Sequence, residues 1–234
     1  VVIRPTGSLS DELYDEWVER RRELTAEYSG GRLGYIHVEG MNWPSFERFE
    51  RELEAAADGK DGLLVDVRFN GGGWTTDYLL TVLTYPQHAY TVPRGAAEDP
   101  GAQHEQFRDH YPFGPRLPQA AWTKPVAALA NQNSYSNAEI FSHAFKTLGL
   151  GPLVGEPTFG AVISTGGAGL VDGSFVRLPF RGWYVKATDE NMEHGPAVPD
   201  HVVPRRPDDR ADGEDEQLRE AVDVLLEDVE GGGR

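Results

Sequence analysis

The chain has 234 residues, of which 39% are hydrophobic and 10% aromatic, so it can bury the core of a folded domain. It carries 38 acidic against 22 basic residues, a formal net charge of −16 that would repel phosphates and therefore disfavours nucleic-acid binding. The absence of cysteine excludes disulfides, thiolate nucleophiles and cysteine-ligated metals. No apolar run approaches the roughly 20 residues needed to cross a membrane, so we expect no membrane partner.

Buried-type apolar runs alternate with amphipathic segments, which predicts an α/β fold with a mainly parallel sheet flanked by helices. The predicted helices cover residues 8–29, 45–59, 74–85, 136–149 and 216–229. The predicted strands cover residues 32–41, 62–70, 125–131 and 152–157, followed by a β-rich segment at 164–186. Asp172–Gly173 predicts a hairpin turn in that segment, and Ser45 is predicted to cap the second helix. The proline-rich residues 86–124 are predicted to form an extended surface loop.

Two predicted strands end in segments that could carry chemistry, because sites in parallel sheets lie at the carboxyl ends of strands. The first segment is NGGG, residues 70–73, whose bare amides suit an anion or a developing oxyanion, or simply form a tight turn. Neither the dinucleotide nor the P-loop spacing is present, which disfavours a phosphate site. The second segment, NSYSN at 133–137, contains Ser136, which with Glu139 fits an S-x-x-E capping box. Ser136 is therefore either a helix cap or a nucleophile that a helix N-terminus activates.

A nucleophilic serine needs a general base, and three histidines come into question. His143 lies seven residues after Ser136 on one predicted helix, about 10 Å away, which is too far for direct proton transfer. His37 lies inside a predicted strand and is interpreted as a core or edge residue. His194, beside Glu193 in a predicted loop, stays open as a local base. No His, Asp and Glu residues occur at metal-ligand spacing, so neither a metal nor another cofactor is predicted.

Five separated motifs together resemble the S41 peptidases, and within them the tricorn protease branch. They are GYIHVEGM, LLVDVRFNGGG, NSYSNAEIF, GLGPLVGEPTFGAV and MEHGPAVPDHVV. The resemblance extends over residues 1–229 and implies a ClpP/crotonase-like catalytic core at 33–206. It further implies that residues 1–7 end an upstream PDZ-like domain, that 8–32 form a connecting helix, and that 207–234 form an acidic linker with a C-terminal helix.

The resemblance also assigns roles to individual residues. It makes Ser136 the nucleophile and the amides of Gly73 and Asn137 the oxyanion hole. It makes Glu193 the carboxylate of a tetrad whose adjacent serine and histidine lie upstream of residue 1. The lysine base of tail-specific members falls on Ala161, so a serine–lysine dyad is excluded.

The resemblance also implies a set of substrate-binding residues, namely Gly71, Gly72, Tyr90 and Thr91. Tyr90 and Thr91 stand where the tricorn archetype has an aspartate that favours basic P1 residues.

The predicted function is a serine endopeptidase core that cleaves unfolded proteins or oligopeptides by acyl transfer. Its base is a histidine from upstream domains of the same polypeptide. Two alternatives stay open, an active fragment that uses His194 as base and a non-catalytic module that binds peptides or a partner. The tricorn branch also implies a homohexamer and a cytoplasmic location, with export as the alternative.

Overall fold

The computed structural model describes residues 7–86, 121–206 and 213–231, which form an α/β structure around a five-stranded sheet. Its helices are α1 Ser10–Ser29, α2 Trp43–Ala57, α3 Thr76–Thr84, α4 Asn137–Thr147 and α5 Glu216–Glu230, with a 3₁₀ turn at Met192–His194. Its strands are β1 Leu33–His37, β2 Gly62–Asp66, β3 Val126–Ala130, β4 Leu153–Gly155, β5 Ser164–Gly169, β6 Phe175–Arg181, β7 Tyr184–Val185, β8 Glu190–Asn191 and β9 His201–Val202.

The main sheet has the strand order β1-β2-β3-β4-β9, and every pairing in it is parallel. All residues of β1, β2 and β3 are buried, because helices cover both faces of the sheet. Helices α2, α3 and α4 pack into the core on one face, and α1 and α5 pack into the core on the other. The predicted α/β class with a mainly parallel sheet and flanking helices is confirmed.

Two local features differ from the sequence prediction. Helix α2 is capped by Asn42 and not by Ser45, whose amide donates to the Asn42 Oδ1 atom at 3.0 Å. Asn42 is the better cap because Pro44 occupies the first turn, where its missing N–H costs nothing. Strands β8 and β9 were not predicted, because two residues each are too few to show a periodic pattern.

The hairpin of β5 and β6 lies outside the main sheet, and its predicted turn is confirmed. The Leu170 amide donates to the Ser174 carbonyl at 2.8 Å, and the Gly173 amide donates back to Leu170 at 3.0 Å. The ring of Phe175 lies over Gly167, where a Cβ would overlap it and displace this exposed ring.

A buried ion network connects α5 to the sheet at the carboxyl end of β2. The Arg68 guanidinium donates to both carboxylate oxygens of Asp66 and of Asp215, at 2.7–3.1 Å. Gln217 accepts a further bond from Arg68, and Arg21 donates to Asp215 at 3.2 Å. Burial alone would raise the pKa of Asp215, but the charge and hydrogen bonds of Arg68 hold this pKa below its usual value.

No helix in the described ranges is long and apolar enough to cross a membrane. Residues 1–6 and 207–212 lie outside the described residues, so the domain boundaries proposed there stay predictions.

Candidate active site

The ends of β2 and β3 are adjacent in the sheet, and hydrogen bonds join the segments that follow them. The Tyr135 amide donates to the Asn70 carbonyl at 2.9 Å. The Phe69 amide donates to the side chain of Asn131 at 3.1 Å. The two segments that the sequence singles out, 70–73 and 133–137, are therefore brought together at the carboxyl edge of the sheet.

Gly72 packs directly on Ser136. A Cβ at Gly72 would lie 2.7 Å from the Ser136 Cβ, 2.7 Å from the Tyr135 carbonyl oxygen and 3.0 Å from the Asn137 amide nitrogen. Its φ of 87° is a second reason for glycine at this position. The glycine loop can therefore pack this closely against the start of α4 only because Gly72 has no side chain.

Gly73 lies against the segment after β1. The Met41 amide donates to the Gly72 carbonyl at 3.0 Å, and the Trp74 amide donates to the Met41 carbonyl at 2.7 Å. This parallel bridge uses the groups on either side of Gly73 and leaves the Gly73 amide without a hydrogen bond among the described residues. A Cβ on Gly73 would overlap the Met41 carbonyl oxygen, so only glycine fits here.

Ser136 has a strained backbone, with φ 58° and ψ −115° immediately before α4. Such conformations are costly for a residue with a side chain and cluster at functional sites. The predicted capping box is present: the Ser136 amide donates to Glu139 Oε1 at 3.1 Å. The Glu139 amide donates to the Ser136 carbonyl oxygen at 3.0 Å, so it does not require the hydroxyl of Ser136 as its acceptor.

Asn137, the first residue of α4, connects this helix to α3. Its side-chain oxygen accepts from the Thr76 amide at 3.0 Å, and its carbonyl accepts from the Thr76 hydroxyl at 2.6 Å. Its own amide has no hydrogen bond among the described residues and belongs to the unsatisfied first turn of the helix. The Asn137 amide directly follows Ser136, the Gly73 amide directly follows Gly72, which packs on Ser136, and the two segments are bonded to each other.

Glu139 anchors the loop after β4, a role that sequence reasoning missed. Its carboxylate is fully buried and accepts from the Thr158 hydroxyl at 2.8 Å, from the Gly160 amide, and from the Ala161 amide at 2.8 Å. The Glu139 carboxylate therefore accepts from both the Ser136 amide and the Ala161 amide. Ala161 is the position of the lysine in tail-specific relatives. The capping box predicted that Glu139 reaches back to Ser136, but it carried no information about a second loop.

Glu193 holds the next two residues of the same loop. Its Oε2 atom accepts from the amides of Val162 and Ile163 at 2.8 and 2.7 Å. Its Oε1 atom has no hydrogen bond within the described part of the chain. Glu139 and Glu193 together bind four consecutive amides, at residues 160–163, and this places Glu193 in the loop system around Ser136.

None of the histidines considered forms a hydrogen bond to Ser136 among the described residues. His37 is buried, with Nε2 bonded to the Arg68 carbonyl and Nδ1 bonded to the Tyr14 hydroxyl, both at 2.8 Å, which confirms it as a core residue. Burial also lowers the pKa of His37, and it lowers that of His143. His194 is exposed in the 3₁₀ turn.

The remaining predictions for the site concern the other substrate-binding residues and the absence of a metal. Gly71 is open, with nothing within 4 Å of a Cβ placed on it. Tyr90 and Thr91 lie outside the described residues. Within the described ranges, no group of three or more His, Asp and Glu residues could hold a metal ion.

The arrangement suits acyl transfer. A serine hydroxyl lies at the N-terminus of a helix, where the local potential favours negative charge. The amide of Asn137 follows this serine in the chain, and the amide of Gly73 follows Gly72, which packs on it. Neither amide has a hydrogen bond among the described residues, and such donors can stabilise a tetrahedral oxyanion. The Glu139 carboxylate and the Oε2 atom of Glu193 hold the loop at residues 160–163, and Glu193 Oε1 is left without a hydrogen bond among the described residues.

Comparison with known proteins shows which family has this arrangement. Residues 32–203 match peptidase family S41. The chain belongs to this family. The match supports a serine peptidase and confirms the resemblance from the five motifs.

Similar sequences are tricorn proteases and their homologues. The chain is 35% identical over 230 residues to tricorn protease homolog 1 of Streptomyces coelicolor, covering 98% of the chain and 20% of the relative. It is 31% identical over 218 residues to the tricorn protease of Thermoplasma volcanium, covering 93% of the chain and 20% of the relative. The chain thus spans about a fifth of the length of these relatives.

Solved structures support the fold. A crystal structure of the tricorn protease superimposes with a TM-score of 0.76 at 29% identity, covering 93% of this chain and 20% of that chain. The photosystem II D1 C-terminal processing protease superimposes with a TM-score of 0.51 at 22% identity, covering 74% of this chain and 42% of that chain. The expected S41-type α/β core is confirmed.

Proposed function

We propose that this chain is the catalytic core of a serine endopeptidase that cleaves unfolded proteins or oligopeptides. The observation that carries the proposal is the strained Ser136 at the start of α4 with the free amides of Gly73 and Asn137 beside it. The family match supports a peptidase, and the geometry supports this serine as its nucleophile.

In the proposed reaction, the Ser136 hydroxyl attacks the carbonyl carbon of a peptide bond while its proton passes to a general base. The Gly73 and Asn137 amides donate to the oxyanion, a contribution of about 3–4 kcal/mol for each donor in comparable sites. The tetrahedral intermediate then breaks its C–N bond, and the protonated base gives the proton to the leaving amine. Water hydrolyses the acyl-enzyme by the same steps.

We propose that the general base is a histidine outside residues 1–234, in a Ser-His pair like that of the tricorn branch. The unused Oε1 atom of Glu193 supports this, because a serine hydroxyl could donate to it while Oε2 holds the loop. The exposed His194 is the competing base. Hydrolysis by the 234 residues alone that is lost in His194→Ala would favour His194 over the external histidine.

The nucleophile is tested with Ser136→Ala in the intact protein. We expect loss of peptide hydrolysis and of labelling by a fluorophosphonate probe, with an unchanged circular dichroism spectrum. Ser142→Ala is the matched control, because Ser142 lies on the same helix with its hydroxyl bonded to the Ala138 carbonyl at 2.9 Å. Retained hydrolysis in Ser136→Ala would contradict the proposal. Absence of labelling in the wild-type protein would favour a non-catalytic binding module.

Assembly and location are part of the proposal only through the tricorn resemblance. A homohexamer should have six times the mass of the intact polypeptide in sedimentation, and fractionation of the host cells should recover the protein in the cytoplasm. A monomer, or recovery outside the cytoplasm, would remove the corresponding inference.

A further inference from the structure

Three exposed aromatic rings lie beside the glycine loop, and we call Trp43, Trp74 and Tyr78 the aromatic platform. Their exposed fractions are 42%, 56% and 36%. The rings of Trp43 and Trp74 are nearly parallel, with an interplanar angle of 4° and centroids 6.3 Å apart. Tyr78 meets both of them edge-on, at 5.5 and 5.8 Å. The platform is therefore one continuous apolar surface.

The platform is built on rigid elements. Trp43 begins α2, and its indole N–H donates to the Glu47 carboxylate at 2.9 Å, which orients the ring. Tyr78 lies in the first turn of α3. The buried ring of Phe46 packs beneath both, with centroids 5.4 Å from each. An apolar ligand would meet a surface that needs little further ordering, which favours binding.

The position of Trp74 connects the platform to the reaction. Trp74 directly follows Gly73, and its amide is fixed by the Met41 carbonyl at 2.7 Å. An extended peptide advances about 3.5 Å per residue. A substrate whose scissile carbonyl meets the Gly73 amide would therefore place a side chain on Trp74 within about two residues of the cleaved bond.

We propose that the aromatic platform binds a large apolar side chain of the peptide substrate, within about two residues of the scissile bond. This inference rests on the proposed function and adds the chemical class of one substrate side chain. Burial of apolar surface is the favourable term, and aromatic rings supply much of it. The platform consists of three exposed aromatic rings, so apolar contact is the main attraction that it offers.

The test separates binding from catalysis by using Ser136→Ala in the intact protein. Fluorescein-labelled extended decapeptides carry Phe, Arg or Gly at each position in turn, in an otherwise constant sequence. Fluorescence anisotropy gives the Kd of each peptide. We expect one position at which Phe binds on the order of tenfold more tightly than Gly, and more tightly than Arg.

Adding Trp74→Ala should reduce that Phe-to-Gly ratio to near one, whereas Trp74→Phe should retain most of it. Leu148→Ala is the matched control, because Leu148 is 54% exposed at the far end of α4. It should leave the ratio unchanged. Circular dichroism and the melting temperature verify that each variant is folded.

Several outcomes would overturn the inference. These are no Phe preference at any position, no peptide binding at all, tighter binding of Arg, or an unchanged ratio in Trp74→Ala. If Trp74→Ala instead lowers the sedimentation mass, a second copy covers the platform. A preserved preference without hydrolysis by the wild-type protein would reject the peptidase and retain the platform as a peptide-binding surface.

Discussion

At the residue scale, the site depends on backbone positions that few amino acids can occupy. Ser136 is one of three non-glycine residues with positive φ among those described, and it is the one that begins a helix beside two free amides. Gly72 touches it where any side chain would collide. The strained backbone of Ser136 and the close packing of Gly72 are therefore parts of the same local structure, and a change at one should disturb the other.

The role of Gly72 leads to a prediction with a control one residue away. Gly72→Ala should lower the free energy of unfolding by about 3 kcal/mol or more, because it adds both a collision and a strained φ. It should also abolish hydrolysis, because Ser136 must move. Gly71→Ala meets nothing within 4 Å and should change stability by less than about 1 kcal/mol.

Urea unfolding and kcat/KM of the intact protein measure both effects. Equal stability of the two alanine variants would show that the glycine loop can move away from Ser136 at little cost.

At the element scale, the loop after β4 is held by acceptors from two different elements. Glu139 on α4 binds the amides of Gly160 and Ala161, and Glu193 in the 3₁₀ turn binds those of Val162 and Ile163. Hydrogen bonds to a charged acceptor are stronger than neutral ones. Each carboxylate therefore fixes its own half of one short segment.

This division predicts a local effect of Glu193→Ala. The amides of Val162 and Ile163 should exchange hydrogen about tenfold faster or more, since they lose their acceptor. The amides of Gly160 and Ala161 should keep their protection through Glu139.

Native-state hydrogen exchange followed by NMR measures all four amides in one experiment. Glu190→Ala, at the exposed residue of strand β8, is the control and should change none of them. Uniform loss of protection across residues 160–163 would mean that the loop opens as one unit.

At the scale of the whole molecule, the helices on the two faces of the sheet have different attachments. On the face that carries α2, α3 and α4, the first residues of α3 and α4 are part of the site, where Thr76 bonds Asn137. Helix α5, on the other face, is attached through Arg68, whose buried guanidinium bridges Asp66 and Asp215. Removing one partner of a buried ion pair is far more costly than removing an exposed pair.

Asp215→Asn should therefore lower the free energy of unfolding by about 3 kcal/mol at pH 7, although asparagine can still cap α5. Glu216→Gln, which alters an exposed pair with Arg206, should cost less than about 1 kcal/mol. The pKa of Asp215 is lowered in the folded state, so its stabilising contribution is complete above the unfolded value of 3.8. The contribution is lost as the pH falls below about 4.

Urea unfolding at a series of pH values measures this linkage. The difference between wild type and Asp215→Asn should narrow as the pH falls below about 4. A difference that does not depend on pH would show that the charge of Asp215 is not what stabilises α5.

Most of the fold could be predicted because its signals are local. The runs LLVD and VAALA mark buried strands, and NGGG and S-x-x-E mark the two ends where the site forms. The five motifs also identified the family. The anchoring role of Glu139 was missed because it depends on residues distant in the chain, and the strands β8 and β9 because each is too short for a period. The cap at Asn42 was missed although it is local, because Asn42 and Ser45 are both favoured capping residues.

The order of residues alone was sufficient for the α/β class, the family and Ser136 as the candidate nucleophile, since these follow from periodicity and from short contiguous motifs. Tertiary structure was needed to show that Gly72 packs on Ser136, that two amides beside it have no internal partner, and that three aromatic rings meet next to Gly73. Contacts between residues about 30–65 positions apart create these features, such as Gly72 with Ser136 and Trp43 with Trp74. No local pattern encodes them, because only the packed parallel sheet brings the ends of its strands to one edge.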